Sequence, residues 1–568
     1  MLLPAWASLQ PFLPELVLVA TVAVVLLIPV VSPKKNSVGT GVAAALGVII
    51  ALLCLLAIDS QGQLRADPTA PLAVGGSYLN GLLIMDPFAW FYKIIVLLFV
   101  LVVIGLWAMT TRYQMGPGDG PEFITLLLCA TVGMLLMGST SNLLMIFLAV
   151  EMASLPSYVL AGFRKTQRLG AEAALKYVLF GAVCSAVMLY GMSLLYGQFG
   201  TLELGQIRAL AGGGQHPIVF VLGMAGLLVG IGFKVSLVPL HFWAPDVFEG
   251  THIDIATFLS VASKGAGLAL LLRVVASVIG PAGRVGEAQL AWLAGLTWLP
   301  WLLLIVGAVT AFWGNLAAFA QHNIKRLLAY SSIAHAGYMV LGVAVVFALP
   351  AVGLAQSALA RQGGGTVLVY PLNMEAAAAL LFYLFMYLFM NAGAFVTAAA
   401  IAEKTGSEDI REYAALGRRM PVLAVAMVVF MFGLVGIPLT VGFAAKLKLL
   451  LVLFAAGTPI GYIAVGVLGV NTVVAAFYYF RVIRQMWLVP SQAPALPELT
   501  PTAVLAALLI VPNVALFIAY NWVDDQAQTF GRLYGQTQQV EAPSAQQTTG
   551  PVPAGAVSGV ARAEALGN

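Results

Sequence analysis

The chain is predicted to be an all-α polytopic membrane protein with about fourteen transmembrane helices. Three observations predict it. Of the 568 residues, 61% are hydrophobic and only 9% are charged, against roughly 45–50% apolar and about 25% charged in soluble domains. Apolar runs of about 20 residues, the length that crosses a hydrocarbon core, follow one another along most of the chain. Nothing resembles the ~10-residue alternating strands of an outer-membrane barrel.

The spans are expected near 13–31, 38–58, 83–109, 121–140, 142–162, 172–198, 217–246, 251–280, 293–320, 326–349, 374–400, 421–451, 455–488 and 502–522. Basic side chains orient them. Lys34, Lys35, Arg112, Arg164, Lys165, Arg168, Lys325, Arg326, Lys404, Arg411, Arg418, Arg419, Arg481 and Arg484 fall on odd-numbered loops. Even-numbered loops hold Arg65, Arg208, Arg284 and Arg361, and the C-terminal tail adds Arg532 and Arg562, a bias of fourteen against six. Odd loops are therefore expected to be cytoplasmic and both termini outside. Met1 to Gln10 lack the basic region of a cleaved signal peptide, so the first span is expected to stay in the bilayer. Two stretches are expected to be peripheral: a flexible loop at 350–373 around Gly363-Gly364-Gly365, and a disordered tail at 523–568 rich in Gln, Ala, Ser, Thr and Pro.

Several function classes drop out. The 27 basic and 23 acidic residues leave a net charge of +4, too diffuse for a nucleic-acid surface. Cys54, Cys129 and Cys184 lie far apart with no CxxC or Cys/His cluster, so no iron–sulfur, zinc or disulfide framework is expected. The Gly-Thr-Gly-Val-Ala-Ala run at 39–44 lies inside an apolar span, not between a strand and a helix, which argues against a dinucleotide site. Asp246, Glu249, His252 and Asp254 cluster after the seventh span, without a spacing that marks a metal site.

The charges left in or near spans carry the functional signal. They are Lys93, Lys176, Lys234, Lys264, Arg273, Lys446 and Lys448, with Glu151 the one acid clearly mid-span. Each such charge costs roughly 2.5–3.5 kcal/mol on insertion scales, so a chain that keeps several must use or pair them. Six of the seven bases are lysine, and a buried lysine, unlike arginine, can release its proton. Lys234 precedes Pro239 and Lys446 follows Pro438. Two lysines beside two interrupted helices, one in each half, point to a transport site. Lys264 lies deep in FLSVASKGAG, with Ser260 a turn earlier and Gly265 and Gly267 permitting close packing. His241, at i+7 from Lys234, and His335, in YSSIAHAGYM, each read equally as a relay group or a structural histidine. Lys176 reads as a relay or as a surface pair with Glu172. Lys93 and Asp86 read as an interfacial anchor, Arg273 as a snorkelling side chain and Lys448 as packing or snorkelling.

These residues sit in recognisable surroundings. LAVEMASLPSYVLAGFRK, EAALKYVLFGA, GFKVSLVPLHFWAPDVFEG, FLSVASKGAG, GNLAAFAQHNIKRLLAYSSIAHAGYM, GIPLTVGFAAK and YYFRVIRQMW occur in order. Together they resemble subunit N of proton-pumping NADH–quinone oxidoreductase, respiratory complex I, over roughly residues 13–490. The broken-helix lysine motif is shared with the sister L and M subunits and with multisubunit cation/proton antiporters. The forms SxPxYxLxGFRK, HFWxPDVFEG and RLLAYSSIxHxGY favour subunit N. One departure is THIDIATFLS after Glu249-Gly250, where the family has an Ala-Pro-rich segment.

The resemblance implies two inverted five-helix repeats with discontinuous helices 7 and 12. Residues 1–120 would form a three-helix region, 121–280 the first repeat, 281–490 the second, 491–522 the last helix and 523–568 the tail. It implies that Glu151 and Lys234 form a glutamate–lysine pair, that Lys264 is the central lysine and Lys446 the second-half lysine, and that Lys176 and His241 lie on the same proton route. The chain would be a non-redox, proton-translocating subunit of a bacterial plasma-membrane enzyme. It would itself carry no cofactor. Flavin, iron–sulfur clusters and quinone would belong to partner subunits, and its neighbours would be the antiporter-like M subunit, the small subunits K, J and A, and the lipid bilayer. A cation/proton antiporter without redox partners is the rival reading.

Overall fold

The computed structural model describes residues 6–31, 36–58, 76–110, 119–164, 167–211, 217–279, 283–285, 295–346, 367–369, 374–497 and 500–530. Among them, thirteen helices are long and apolar enough to cross a membrane. The first six spans are α1 (Leu13–Val31), α2 (Asn36–Ala57), α3 (Pro87–Met109), α4 (Asp119–Met137), α5 (Leu143–Ala161) and α6 (Arg168–Phe199). The seventh is broken into α7 (Pro217–Val235) and α8 (Trp243–Gly250), and α9 (Ile253–Ile279) follows. Then come α10 (Trp298–Ala318), α11 (Ile324–Ala344) and α12 (Met374–Thr405). A second broken span, α13 (Pro421–Val435) with α14 (Val441–Ala455), makes the fourteenth crossing, ahead of α15 (Pro459–Leu488) and α16 (Pro501–Ile518). The expected count and both interruptions are present.

Local chemistry sets the helix starts. Asp86 accepts from the Ala89 amide at 2.8 Å, and Asn142, Asn323, Thr458 and Thr500 cap their helices in the same way. Each cap satisfies amides that have no carbonyl partner within the helix. Pro87, Pro459 and Pro501 stand just inside three of these starts, where a missing N–H costs nothing. The interruptions have equally local causes. The chain leaves α7 through Ser236 at φ 64° and meets Pro239, and it leaves α13 through Gly436 at φ 88° and Leu439 at φ 76° around Pro438.

The two halves repeat one arrangement. Asn142 and Asn323 each begin the second helix of a half, and each forms an antiparallel bridge to the acidic residue after the third helix, Glu203 and Asp409 respectively. The flanking backbone bonds match: the Leu143 and Leu204 amides bond to Leu202 and Ser141 carbonyls, as those of Ile324 and Ile410 bond to Glu408 and His322. Gly133 lets α4 touch the backbone of α5 at Ala153, and Gly314 lets α10 touch α11 at Ala334. Across the first two helices of each half the step is a constant 181 positions, from Gly133 to Gly314, Asn142 to Asn323 and Ala153 to Ala334, and it carries Glu151 onto Ser332; after the third helix it becomes 206, from Glu203 to Asp409. Because five spans separate equivalent helices, α5 and α11 cross the membrane in opposite senses. The repeats are thus inverted.

Burial ranks the helices. α9 is buried along its whole most apolar window, α11 over 94% and α12 over 89%, whereas α1 and α16 reach only 28%. The central three therefore bury side chains in protein, while the outer helices present Leu, Val, Ile and Phe to lipid.

Two sequence expectations change. Leu83–Met85, expected at the start of the third span, is a short strand paired with Gly76–Tyr78. Residues 523–530, expected as disordered tail, belong to a helix, α17 (Tyr520–Phe530). Its Val523, Ala527 and Phe530 are buried at helical spacing, and Phe530 stacks on Trp90 and Phe91 at 4.8 and 5.3 Å between ring centroids. This apolar stripe had been masked by the surrounding polar composition. In the 350–373 loop, Val367–Val369 pairs with Gly283–Val285; the Gly363–Gly365 run lies outside the described residues, as does 531–568.

Candidate functional site

Five of the positions singled out in the sequence, Glu151, Lys234, Lys264, His335 and Lys446, form a line through the bundle. It starts at Glu151 on α5, which is half-buried and accepts from the Ser185 hydroxyl of α6 at 2.5 Å. Lys234, in the last turn of α7, is 1% exposed and close enough to Glu151 for their charges to interact. Its ammonium makes no hydrogen bond within the described residues. The two form an electrostatic pair, not a contact salt bridge. Trp243 closes the break from the other side, donating to the Phe233 carbonyl at 3.1 Å and stacking on Tyr177. That gives a second donor to a carbonyl that also accepts from the Ser236 amide where the helix stops.

Lys264 comes next, on α9. The helix is π-wound over Leu259–Ser263 immediately before it, a local rewinding that often marks functional positions. Gly267, one turn on, lets α9 press against α7: a Cβ there would lie 2.7 Å from Val235 Cγ2 and 3.2 Å from Lys234 Cβ. The Lys264 ammonium donates to the Ser332 hydroxyl of α11 and lies 5.4 Å from the centre of the Phe248 ring. Ser260, noted beside it in the sequence, instead accepts from Asn391 of α12 at 2.6 Å.

On α11, one turn beyond Ser332, is His335. It is 1% exposed, and its Nδ1 lies 2.8 Å from the Tyr383 hydroxyl of α12. His335 is within charge-interaction distance of both Lys264 and Lys446. Lys446, on α14, donates to the carbonyls of Leu434 and Val435 at 3.0 and 2.8 Å, and lies 5.2 Å from the centre of the Tyr338 ring. Those carbonyls end the half-helix α13, whose dipole places partial negative charge there. Both broken spans therefore hold a lysine at the end of the first half-helix, but Lys234 is part of that half-helix and Lys446 reaches back to it.

His241 lies in the turn between α7 and α8, 1% exposed, beside the Trp313 ring and within charge-interaction distance of Lys264. Lys176 is not part of the buried line. It pairs with Glu172 at 2.8 Å and Asp246 at 2.6 Å and is 38% exposed. Asp246 and Glu249 both bind Arg326 at 2.7 Å, and Lys325 binds Glu408 and the Thr251 carbonyl. Asp246 and Glu249 thus act as ion-pair partners that tie the first repeat to the second through Arg326.

Three side chains read as anchors or snorkellers are paired inside instead. Arg273 forks onto both carboxylate oxygens of Asp86 and donates to the Gly138 carbonyl, with both charged groups almost wholly buried. Lys93 pairs with Glu15 at 2.8 Å, at 0% and 7% exposure. Lys448 pairs with Asp524 of α17 at 2.8 Å. Their partners lie far away in sequence, on other helices, so only the fold reveals them. Ser332, Ser185, Tyr383 and Asn391 were missed for another reason: neutral hydroxyls and amides carry no charge signal in a span. The step of 181 positions is the one sequence signal that would have singled out Ser332.

A bundle of two inverted repeats, each with a broken span, and a buried lysine line crossing from one to the other define an antiporter-like membrane subunit. Residues 140–354 and 353–472 match the family described as NADH:quinone oxidoreductase/Mrp antiporter, TM. NADH-quinone oxidoreductase subunit N 2 of Sorangium cellulosum is 36% identical over 537 residues, 91% of this chain and 96% of that protein. Subunit N of an Anaeromyxobacter species is 38% identical over 86% of this chain and 89% of its own length. A chain of respiratory complex I from Thermus thermophilus, solved with bound aureothin, superposes with a TM-score of 0.67 at 30% identity, covering 90% of this chain and 98% of that one. The chain belongs to the NADH-quinone oxidoreductase subunit N family.

Proposed function

We propose that this subunit moves protons across the bacterial plasma membrane along Glu151, Lys234, Lys264, His335 and Lys446, driven by quinone reduction elsewhere in complex I. The observation that carries the reading is the placement of Lys264. It donates to the second repeat through Ser332, while Gly267 seats its helix against Lys234. The group midway along the line therefore touches both repeats.

The mechanism is electrostatic. An ionised Glu151 stabilises an ammonium at Lys234. Withdrawing or neutralising that charge leaves Lys234 an unpaired buried cation, which then gives up its proton. Lys264 takes the proton, and His335, with a ring nitrogen against Tyr383, stands between Lys264 and Lys446. Moving one charge against ~100 mV costs about 2.3 kcal/mol. A change of a few pKa units in a switched group, at about 1.36 kcal/mol each, is enough.

In this reading the loops rich in Lys and Arg face the cytoplasm and both termini face outward. The protein contributes translocation and no redox chemistry. Flavin, iron–sulfur clusters and quinone belong to partner subunits, and the membrane neighbours are the antiporter-like M subunit and the small subunits K, J and A. His241 lies beside the first half of the route, and Lys176 with Asp246 guards its cytoplasmic edge.

The test is to tag the chain, purify it gently from its own membranes and identify its companions. Co-purifying flavin and iron–sulfur subunits with NADH–quinone activity supports the reading. Membrane subunits alone, with sodium-dependent transport and no electron donor, would move the chain to the cation/proton antiporters that its family also includes.

A further inference from the structure

The first repeat brings a carboxylate, Glu151, to the lysine of its broken span. The second repeat has Ser332 at the equivalent place, and Lys446 is paired with no carboxylate among the described residues, its ammonium being held by two carbonyls. Yet α14 carries a second lysine. Lys448 lies two residues on, about 3 Å further along the helix axis and roughly 200° around it. It is 10% exposed, and its ammonium meets both oxygens of Asp524, at 2.8 and 2.9 Å.

Asp524 comes from α17, outside both repeats. The helix is clamped there by Phe530 on Trp90 and Phe91, and by Tyr520 against Phe382 at 5.3 Å. Gln528 donates to Asp524 at 3.0 Å, and the Tyr520 ring lies within its electrostatic reach. The next acid, Asp525, is exposed. Asp524 itself is 14% exposed and Lys448 10%, so both members of the pair are largely buried. A snorkelling lysine would not need a carboxylate delivered by a separately packed helix.

We infer that Lys448 and Asp524 are the outward proton-transfer pair of the second repeat, replacing the carboxylate that α11 lacks. The inference rests on the proton-relay reading. A positive charge arriving at Lys446 drives a proton from the Lys448 ammonium to the Asp524 carboxylate, leaving a neutral amine and a carboxylic acid. The acid gives its proton to water on the face where α17 lies, and the amine takes the next proton from the Lys446 side.

The experiment uses the whole complex in proteoliposomes, measuring NADH-driven proton translocation and quinone reduction with Asp524→Asn, Asp524→Glu, the neutral pair Lys448→Gln/Asp524→Asn, and Lys234→Ala as reference. Removing the ionisable acid is expected to lower translocation about a hundredfold or more, the range of a positioned acid–base group. Asp524→Glu is expected to restore most of it. The neutral pair keeps a hydrogen bond between α14 and α17 and leaves no unpaired buried charge, so it decides the matter where Asp524→Asn does not assemble. Low translocation by the assembled neutral pair supports the transfer role; parental translocation means that the ion pair only anchors α17 and overturns it. Parental translocation by Lys234→Ala as well would overturn the relay reading itself.

Discussion

Lys264 of the first repeat donates its hydrogen bond to Ser332 of the second, at the position where the first repeat has Glu151. A carboxylate there would fix Lys264 as an ammonium. A hydroxyl holds the side chain in place and accepts or donates, so it can serve the charged or the neutral amine. Ser332→Ala is therefore expected to cut NADH-driven proton translocation several-fold with the complex assembled, and Ser332→Thr to retain most of it. Proteoliposome translocation measured beside assembly on native gels checks this; equal translocation by the alanine and threonine variants would remove Ser332 from the account.

The Asp86–Arg273 pair makes a stability prediction. Both charges are almost wholly buried, and among the described residues Arg273 Nε has no hydrogen-bond partner. Asp86→Asn removes the countercharge and is expected to destabilise the bundle by about 3–5 kcal/mol, the cost of stranding a buried ion. Lower yield and earlier thermal aggregation of the detergent-purified complex would register it. Parental thermal behaviour would mean that water reaches the guanidinium.

Close packing of α9 against α7 gives a third. A side chain at Gly267 would press on Val235 and on Lys234 itself. Gly267→Val is expected to cost about 1–3 kcal/mol by overpacking and to lower translocation by shifting Lys264 from its neighbours. Unchanged stability and turnover would show that the two helices separate freely.

The sequence supplied the span pattern because each crossing must present about 20 apolar residues, and the interruptions at Pro239 and Pro438 because proline cannot continue a helix. Buried charges were legible for the same reason: a lysine such as Lys234 or Lys446 stands out in an apolar run. What escaped was pairing. Arg273 lies 187 positions from Asp86, and Lys448 lies 76 from Asp524, so each looked solitary. Lys176, which the resemblance puts on the proton route, is ion-paired with Glu172 and Asp246 at the partly exposed rim. The short amphipathic α17 was lost in a polar tail, though its Val523, Ala527 and Phe530 hold the carboxylate that meets Lys448.

The central claim is that protons pass through Lys264, where the repeats meet. The most direct measurement is NADH-driven proton translocation by the assembled complex carrying Lys264→Ala, reconstituted in sealed proteoliposomes with assembly verified. The account predicts loss of most translocation with the full set of subunits present. Parental translocation by that assembled variant would contradict it.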